Sequence, residues 1–310
     1  MTGQRFAVCV SLLLGAALIP LRAQVPGGSA LPKFRSSLDM VTIQASVRDT
    51  RGRTVGGLQA EDFEVRDNGQ VRPVVSLRAD RQSPVSLAIL VDVSGSMRLA
   101  GSREMARFAY ESILAELRPQ RDEAALFTFD SSLDPREGFT KNIASLSGAL
   151  NDMPAYGTTA LYDAAAAAAR KLSERSATHK ALIILTDGID TASRLTAPEV
   201  SGLASSIDVP VYVIATVSSA DQRLALERTR RSGDSDDADL RDLAEWTGGH
   251  FVFASTLGET GAEVISMVSE LRQQYLLAIE AASAREWHRL DVRVKGKAAT
   301  VKARSGYFGG

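Results

Sequence analysis

Asp92, Ser94 and Ser96 stand at alternate positions in VDVSGSM, residues 91–97, and put one carboxylate and two hydroxyls at the end of a long apolar run. Successive residues of an extended segment point to opposite sides, so these three aim toward one point, and Gly95 permits a bend that draws them together. Three converging oxygens suit a hard cation. Two more oxygen sources occupy equivalent places: Thr158 and Thr159 in AYGTTALYDA, ahead of a helical pattern, and Asp187 in ILTDG, at the end of another apolar run. Together they offer about five oxygen ligands with two carboxylates, which leaves a roughly six-coordinate Mg²⁺ or Mn²⁺ one ligand short and electrophilic toward a partner's carboxylate. Calcium prefers more carboxylates, and zinc prefers His or Cys, neither of which is nearby.

The elements that must position these groups follow from the apolar pattern. VSLAILVDVS is continuously apolar, as expected of a strand buried on both faces, and ARFAYESILAELR after it has helical spacing. EAALFTFD, KALIILTDG, VPVYVIAT and GHFVFAS read as further strands. ALYDAAAAAARKLSER, APEVSGLASSI, DLRDLAEWTG and GAEVISMVSELRQQ read as helices. This alternation predicts an α/β fold, a doubly wound and mostly parallel sheet with helices on both faces, whose ligands bind at the carboxyl ends of the strands.

Both flanks have a different grammar. Residues 38–80 alternate apolar and polar positions, with a hairpin signal at Asp67-Asn68-Gly69, and residues 273–310 contain three more strand patterns, YLLAIEAA, WHRLDVRVKG and ATVKARSGYF. The two flanks are expected to pair into one small β-sandwich around the α/β unit. At the N-terminus, Arg5 precedes an apolar run from Phe6 to Ile19, and Leu21-Arg22-Ala23 forms a cleavage site, so residues 1–23 read as a signal peptide. That run is too short for a spanning helix, which predicts no stable membrane span after cleavage and an exported product, periplasmic or secreted. Residues 24–37, rich in Pro, Gly and Ser, read as a linker. The one cysteine, Cys9, lies in the leader, which excludes thiolate chemistry from the remainder. A net charge of -1 argues against nucleic acid as a partner.

DVSGS, GTTALYDA and ILTDG, in this order on a strand-helix framework, resemble the three loops of the metal-ion-dependent adhesion site of von Willebrand factor type A domains, over roughly residues 84–272. The resemblance implies Asp92, Ser94 and Ser96 as ligands. It also implies Thr159, with Thr158 as the fallback, and Asp187 acting through water. Its further implication is a non-enzymatic adhesion module that binds Mg²⁺ or Mn²⁺ and captures an Asp or Glu of a protein partner. VTIQASVRDTRGRTVGGLQAEDFEVRDNGQ, QYLLAIE and WHRLDVRVKG also resemble the exported von Willebrand type A-related proteins of Acidobacteria, a match that bears on architecture alone.

Competing readings stand beside these. The first loop reads also as a capped turn, the Thr158-Thr159 pair as a helix cap, and Asp187 and Asp190 as turn residues. Asp163 reads as a buried hydrogen-bonding or a solvent-facing helix residue and not as a ligand. His179 and His250 begin strands, where solvated or capping roles are common, and no nucleophile elbow accompanies them or His288. Trp246 and Trp287 read as packing residues. The charged stretch Ala220–Asp239 reads as a solvated insertion or a partner-binding excursion. A different functional class, a structural or assembly component of the cell envelope with a vestigial metal site, remains the alternative.

Overall fold

The computed structural model describes residues 40–79, 81–98, 101–151, 156–177, 179–187, 190–206, 208–216 and 236–309. Residues 1–23 and 24–37, read from the sequence as signal peptide and linker, and residues 220–235 of the charged stretch lie outside these. The strands are β1 (Met40–Asp49), β2 (Phe63–Asp67), β3 (Gln70–Arg72), β4 (Ser76–Ala79), β5 (Val85–Asp92), β6 (Glu123–Phe129) and β7 (Leu133–Thr140). They continue with β8 (His179–Thr186), β9 (Val211–Thr216), β10 (Phe251–Ala254), β11 (Tyr275–Glu280), β12 (Trp287–Val294), β13 (Ala299–Ala303) and β14 (Gly306–Phe308). The helices are α1 (Ser102–Glu116), α2 (Leu161–Ser173), α3 (Ala197–Ser206), α4 (Asp236–Thr247) and α5 (Leu257–Leu271).

The central sheet has the order β10-β9-β8-β5-β6-β7. Its first five strands are parallel and β7 is antiparallel to β6. Every residue of β5 is buried, which is why its sequence lacks alternation. One face packs on α1 and α5 through residues such as Tyr110, Ile113, Val264 and Met267. The other packs on α2, α3 and α4, where Ala164, Ala165 and Ala168 bring α2 close to the strands. From β5 the chain moves to β6 on one side and later returns to β8 on the other, so the strand order reverses beside β5. A crevice at its carboxyl end follows from that reversal.

Strand β7 is absent from the sequence reading. LDPREGFT is largely exposed and carries Pro135 and Gly138, and both residues are tolerated because the strand lies at an edge and pairs with shifted register.

The flanking segments build two antiparallel sheets, β13-β1-β11-β4 and β14-β12-β2-β3. In the first, β1 pairs with both β11 and β13, and in the second β2 pairs with β12. Ile43, Val47, Phe63, Val65, Leu277, Ile279 and Leu290 form the core between the sheets. Asn68 (φ 48°) and Gly69 (φ 81°) make the two-residue turn that closes β2 onto β3. Two stretches of the flanks are split between the sheets. QVRPVVSL breaks at Pro73 into β3 and β4, which belong to different sheets. ATVKARSGYF breaks at Arg304, whose guanidinium donates to the carbonyls of Ser205 and Thr42 and turns the chain from one sheet to the other.

The histidines depart from a solvated role. His179 is fully buried, its Nδ1 3.3 Å from Gln274 Oε1. His250 packs edge-on against Tyr212, and burial pushes its pKa down to about 4. His288 is buried against Asp67 and Tyr307. Trp246 and Trp287 are 39% and 37% exposed and border a cleft of about 700 Å³ with Phe308, against which Trp287 packs edge-on.

Candidate metal centre

Strand β5 ends at Asp92, and Val93 holds the departing chain by donating its N–H to Phe129 O at the end of β6 (2.9 Å). A 3-10 turn over Gly95–Arg98 then folds the hydroxyls back, so that Ser94 Oγ lies 3.0 Å from Ser96 Oγ. Asp92 and Ser94 are almost fully buried. Asp92 Oδ1 accepts from Ser94 N (2.8 Å), and Oδ2 accepts from the hydroxyl of Thr186 (2.7 Å). Because Thr186 ends β8 and Asp187 follows it, this bond joins the first loop to the third.

The second loop joins the first through its backbone. Tyr156 N donates to Val93 O (2.9 Å) and Gly95 N donates to Gly157 O (3.2 Å), with Gly157 at φ 80°. Thr159 is buried, whereas Thr158 is exposed. Thr159 N donates to Thr191 Oγ1 (2.9 Å), and Thr159 O accepts from the backbone of Thr191 (2.8 Å) and Ala192 (3.0 Å). The second and third loops are thereby stapled, and the ring of three loops closes.

Helix capping corrects one competing reading. The first amides of α2 are satisfied by the third loop, with Leu161 N donating to Asp190 Oδ1 (2.8 Å) and Tyr162 N to Ser193 Oγ (2.9 Å). The Thr158-Thr159 pair therefore does not cap the helix, and Asp190 does more than shape its own turn. Asp163 accepts from the backbone amides of Arg194 and Leu195, in keeping with its hydrogen-bonding reading.

Electrostatics favour a cation among these groups. Burial pushes the Asp92 carboxyl up to about 6, hydrogen bonds from Thr186 and Ser94 oppose the rise, and the neighbouring Asp187 adds to it. Positive charge beside Asp92 would offset both the burial and the repulsion. The donor set also fits a small hard ion in shape: two ligands at adjacent corners of an octahedron with bonds of about 2.1 Å stand about 3 Å apart, close to the Ser94–Ser96 hydroxyl spacing of 3.0 Å. Among the described residues no three His, Cys, Asp or Glu side chains group as a metal cage, so a cation at this edge depends on the hydroxyls.

The histidines sit away from this edge. His179 is paired with Val85, the first residue of β5, and so lies at the opposite end of the sheet from Asp92. His250 precedes β10 at that same amino-terminal end, and His288 belongs to the sandwich. Sequence reading also missed Tyr156, which is 63% exposed beside the second loop. An aromatic residue near a Gly-Thr-Thr loop was its only signal.

The family model of the von Willebrand factor type A domain matches residues 86–266. The chain belongs to this family. Domains of this family typically mediate adhesion or protein interaction, and some hold a divalent metal. Among solved structures, a von Willebrand factor type A protein from Catenulispora acidiphila is 13% identical, with 88% of this chain and 74% of that one covered at a TM-score of 0.49. BatB from Bacteroides thetaiotaomicron is 17% identical over 61% of this chain and 100% of that one, at a TM-score of 0.48. Proximal thread matrix protein 1 from the mussel byssus, in a form with a zinc-occupied MIDAS motif, is 16% identical over 66% of this chain and 49% of that one, at 0.49. No curated protein matches the chain. Among the described residues no helix is long and apolar enough to cross a membrane.

Proposed function

We propose that this von Willebrand factor type A protein is an exported adhesion module that binds a partner through a divalent cation, Mg²⁺ or Mn²⁺, at the carboxyl edge of its sheet. The observation that supports the reading is the closed ring of hydrogen bonds linking the first, second and third loops, which bear Asp92, Ser94, Ser96, Thr159 and Asp187. A bound ion supplies an electrophilic position that an Asp or Glu oxygen of a protein partner completes. Asp92 contributes the buried charge, Ser94 and Ser96 the paired hydroxyls, Thr159 a hydroxyl from the second loop, and Asp187 a second charge through water. Tyr156, exposed beside them, offers the partner an aromatic contact. Binding without turnover is the expected output, since the histidines that would serve as general base lie at the other end of the sheet or in the sandwich. The leader at residues 1–23 supports export, and the flanking sequences support kinship with the exported family of Acidobacteria.

Calorimetric titration of the full chain with Mg²⁺ and Mn²⁺ tests the site. Saturable one-site binding, lost in Asp92→Ala, is the expected result. Equal binding by the variant, or none by the folded wild type, would favour the alternative of an envelope assembly component with a vestigial site.

A further inference from the structure

Thr159 is fixed less by its own helix than by a loop thirty residues further along the chain. Thr191 receives its N–H on Oγ1 (2.9 Å) and donates its own N–H to Thr159 O (2.8 Å), so both backbone groups of Thr159 are held by one residue. Immediately beyond, Asp190 Oδ1 takes the Leu161 amide (2.8 Å) and also accepts from Ser193 Oγ (2.7 Å), while that hydroxyl oxygen takes the amides of Tyr162 (2.9 Å) and Asp163 (3.2 Å). The first turn of α2 therefore has its orphan amides satisfied by side chains from outside the helix. Its negative cap, Asp190, also sits where the helix dipole favours an anion. No side chain of its own N-cap, Ala160, could do this.

The consequence concerns the metal centre. Asp187 and Thr159 are contributed by different loops, so local chain geometry does not fix their relative position. We infer that Asp190 and Thr191 are positioning residues of the metal centre, which hold Thr159 in place from the stretch that follows Asp187. The inference rests on the metal-centre reading above. Residues that orient metal ligands from behind typically change affinity by roughly 10- to 100-fold when removed, and the bond from Thr191 fills that place here.

The test uses the full chain with Mn²⁺ as probe and hydrogen exchange of the metal-free chain as a second readout. Thr191→Val keeps the side-chain volume and removes the acceptor. It is expected to speed exchange at the Thr159 amide without metal and to weaken Mn²⁺ binding about tenfold, with the unfolding midpoint nearly unchanged. Thr191→Ser is expected to restore both. Asp190→Asn, which keeps an acceptor oxygen but not the charge, is expected to fall between Asp190→Ala and wild type. Wild-type Mn²⁺ affinity in Thr191→Val and Asp190→Ala, alongside lost binding in Asp92→Ala, would overturn the positioning role and leave the site standing. Mn²⁺ binding that survives Asp92→Ala, or that is absent from the wild type, would overturn the site reading and this inference with it.

Discussion

Replacing Asp122 by Asn is expected to destabilise the protein in a way that depends on pH. Asp122 lies just before β6 and is fully buried. Its carboxylate accepts from Val85 N at the start of β5 (3.1 Å), from Arg118 N after α1 (2.7 Å), and from the guanidinium groups of Arg118 (3.2 Å) and Arg272 (2.7 Å), the latter just past α5. Burial alone would raise its pKa, but the hydrogen bonds from Arg272 and Arg118 outweigh it and hold the group at about 2. Against an ordinary value of 3.8, a depression of that size corresponds to roughly 2.4 kcal/mol at neutral pH. Arg118 and Arg272 keep 31% and 16% of their side-chain exposure, so screening reduces the figure to about 2 kcal/mol. Because the folded value is depressed, this stability is present above 3.8 and is lost as pH falls toward 2. Asn keeps an acceptor oxygen but not the charge. Urea denaturation should therefore show a deficit of about 2 kcal/mol for Asp122→Asn at neutral pH, shrinking to about half near pH 3 as the unfolded wild-type carboxyl takes up its proton. A deficit that stays constant between those two conditions would refute the assignment to charge.

Two further outcomes are expected. His288 places Nδ1 2.8 Å from Asp67 Oδ1 and Nε2 3.2 Å from Ala284 O, so only the doubly protonated ring satisfies both acceptors. Burial lowers its pKa, and the bonds to Asp67 and Ala284 more than reverse this to give a net rise above 6.5. With a raised folded value, its contribution is complete below 6.5 and fades as pH climbs through the folded value. Comparing His288→Gln with wild type by denaturant unfolding should show the largest gap on the acid side of 6.5 and a smaller one in alkaline buffer, and a gap that grows with pH would contradict it. Gly249→Ala would place a methyl group 2.0 Å from Val211 O, against backbone that begins β9. Thermal unfolding should register a loss of about 1–3 kcal/mol from overpacking, and an unchanged midpoint would show that the strand yields without cost.

Much of the candidate site was legible because its pattern is local. Asp92, Ser94 and Ser96 alternate within five residues, and the apolar run before them read as a strand buried on both faces, which it is. Asp187 was legible for the same reason, at the end of β8. Thr159 was preferred to Thr158 because it directly precedes ALYDA; its burial and its bond to Thr191 in another loop were not legible. Strand β7 escaped because its edge position suspends the propensity rules that apply to central strands. The burial of His179 and His250 was not legible because a strand-start position says nothing about the layer packed above it.

Periodicity and residue chemistry, which act over a few positions, were enough to determine the strand-helix alternation, the parallel centre, the β-patterned flanks and the oxygen-bearing loops. Tertiary structure alone decided which groups meet. It gave α2 its cap from Asp190 and Ser193, joined Asp92 to Thr186, and passed β13 and β14 to opposite sheets at Arg304. The physical reason is that a hydrogen bond between residues thirty or ninety positions apart is set by how packed layers bring loops together, and one-dimensional spacing carries no record of that distance.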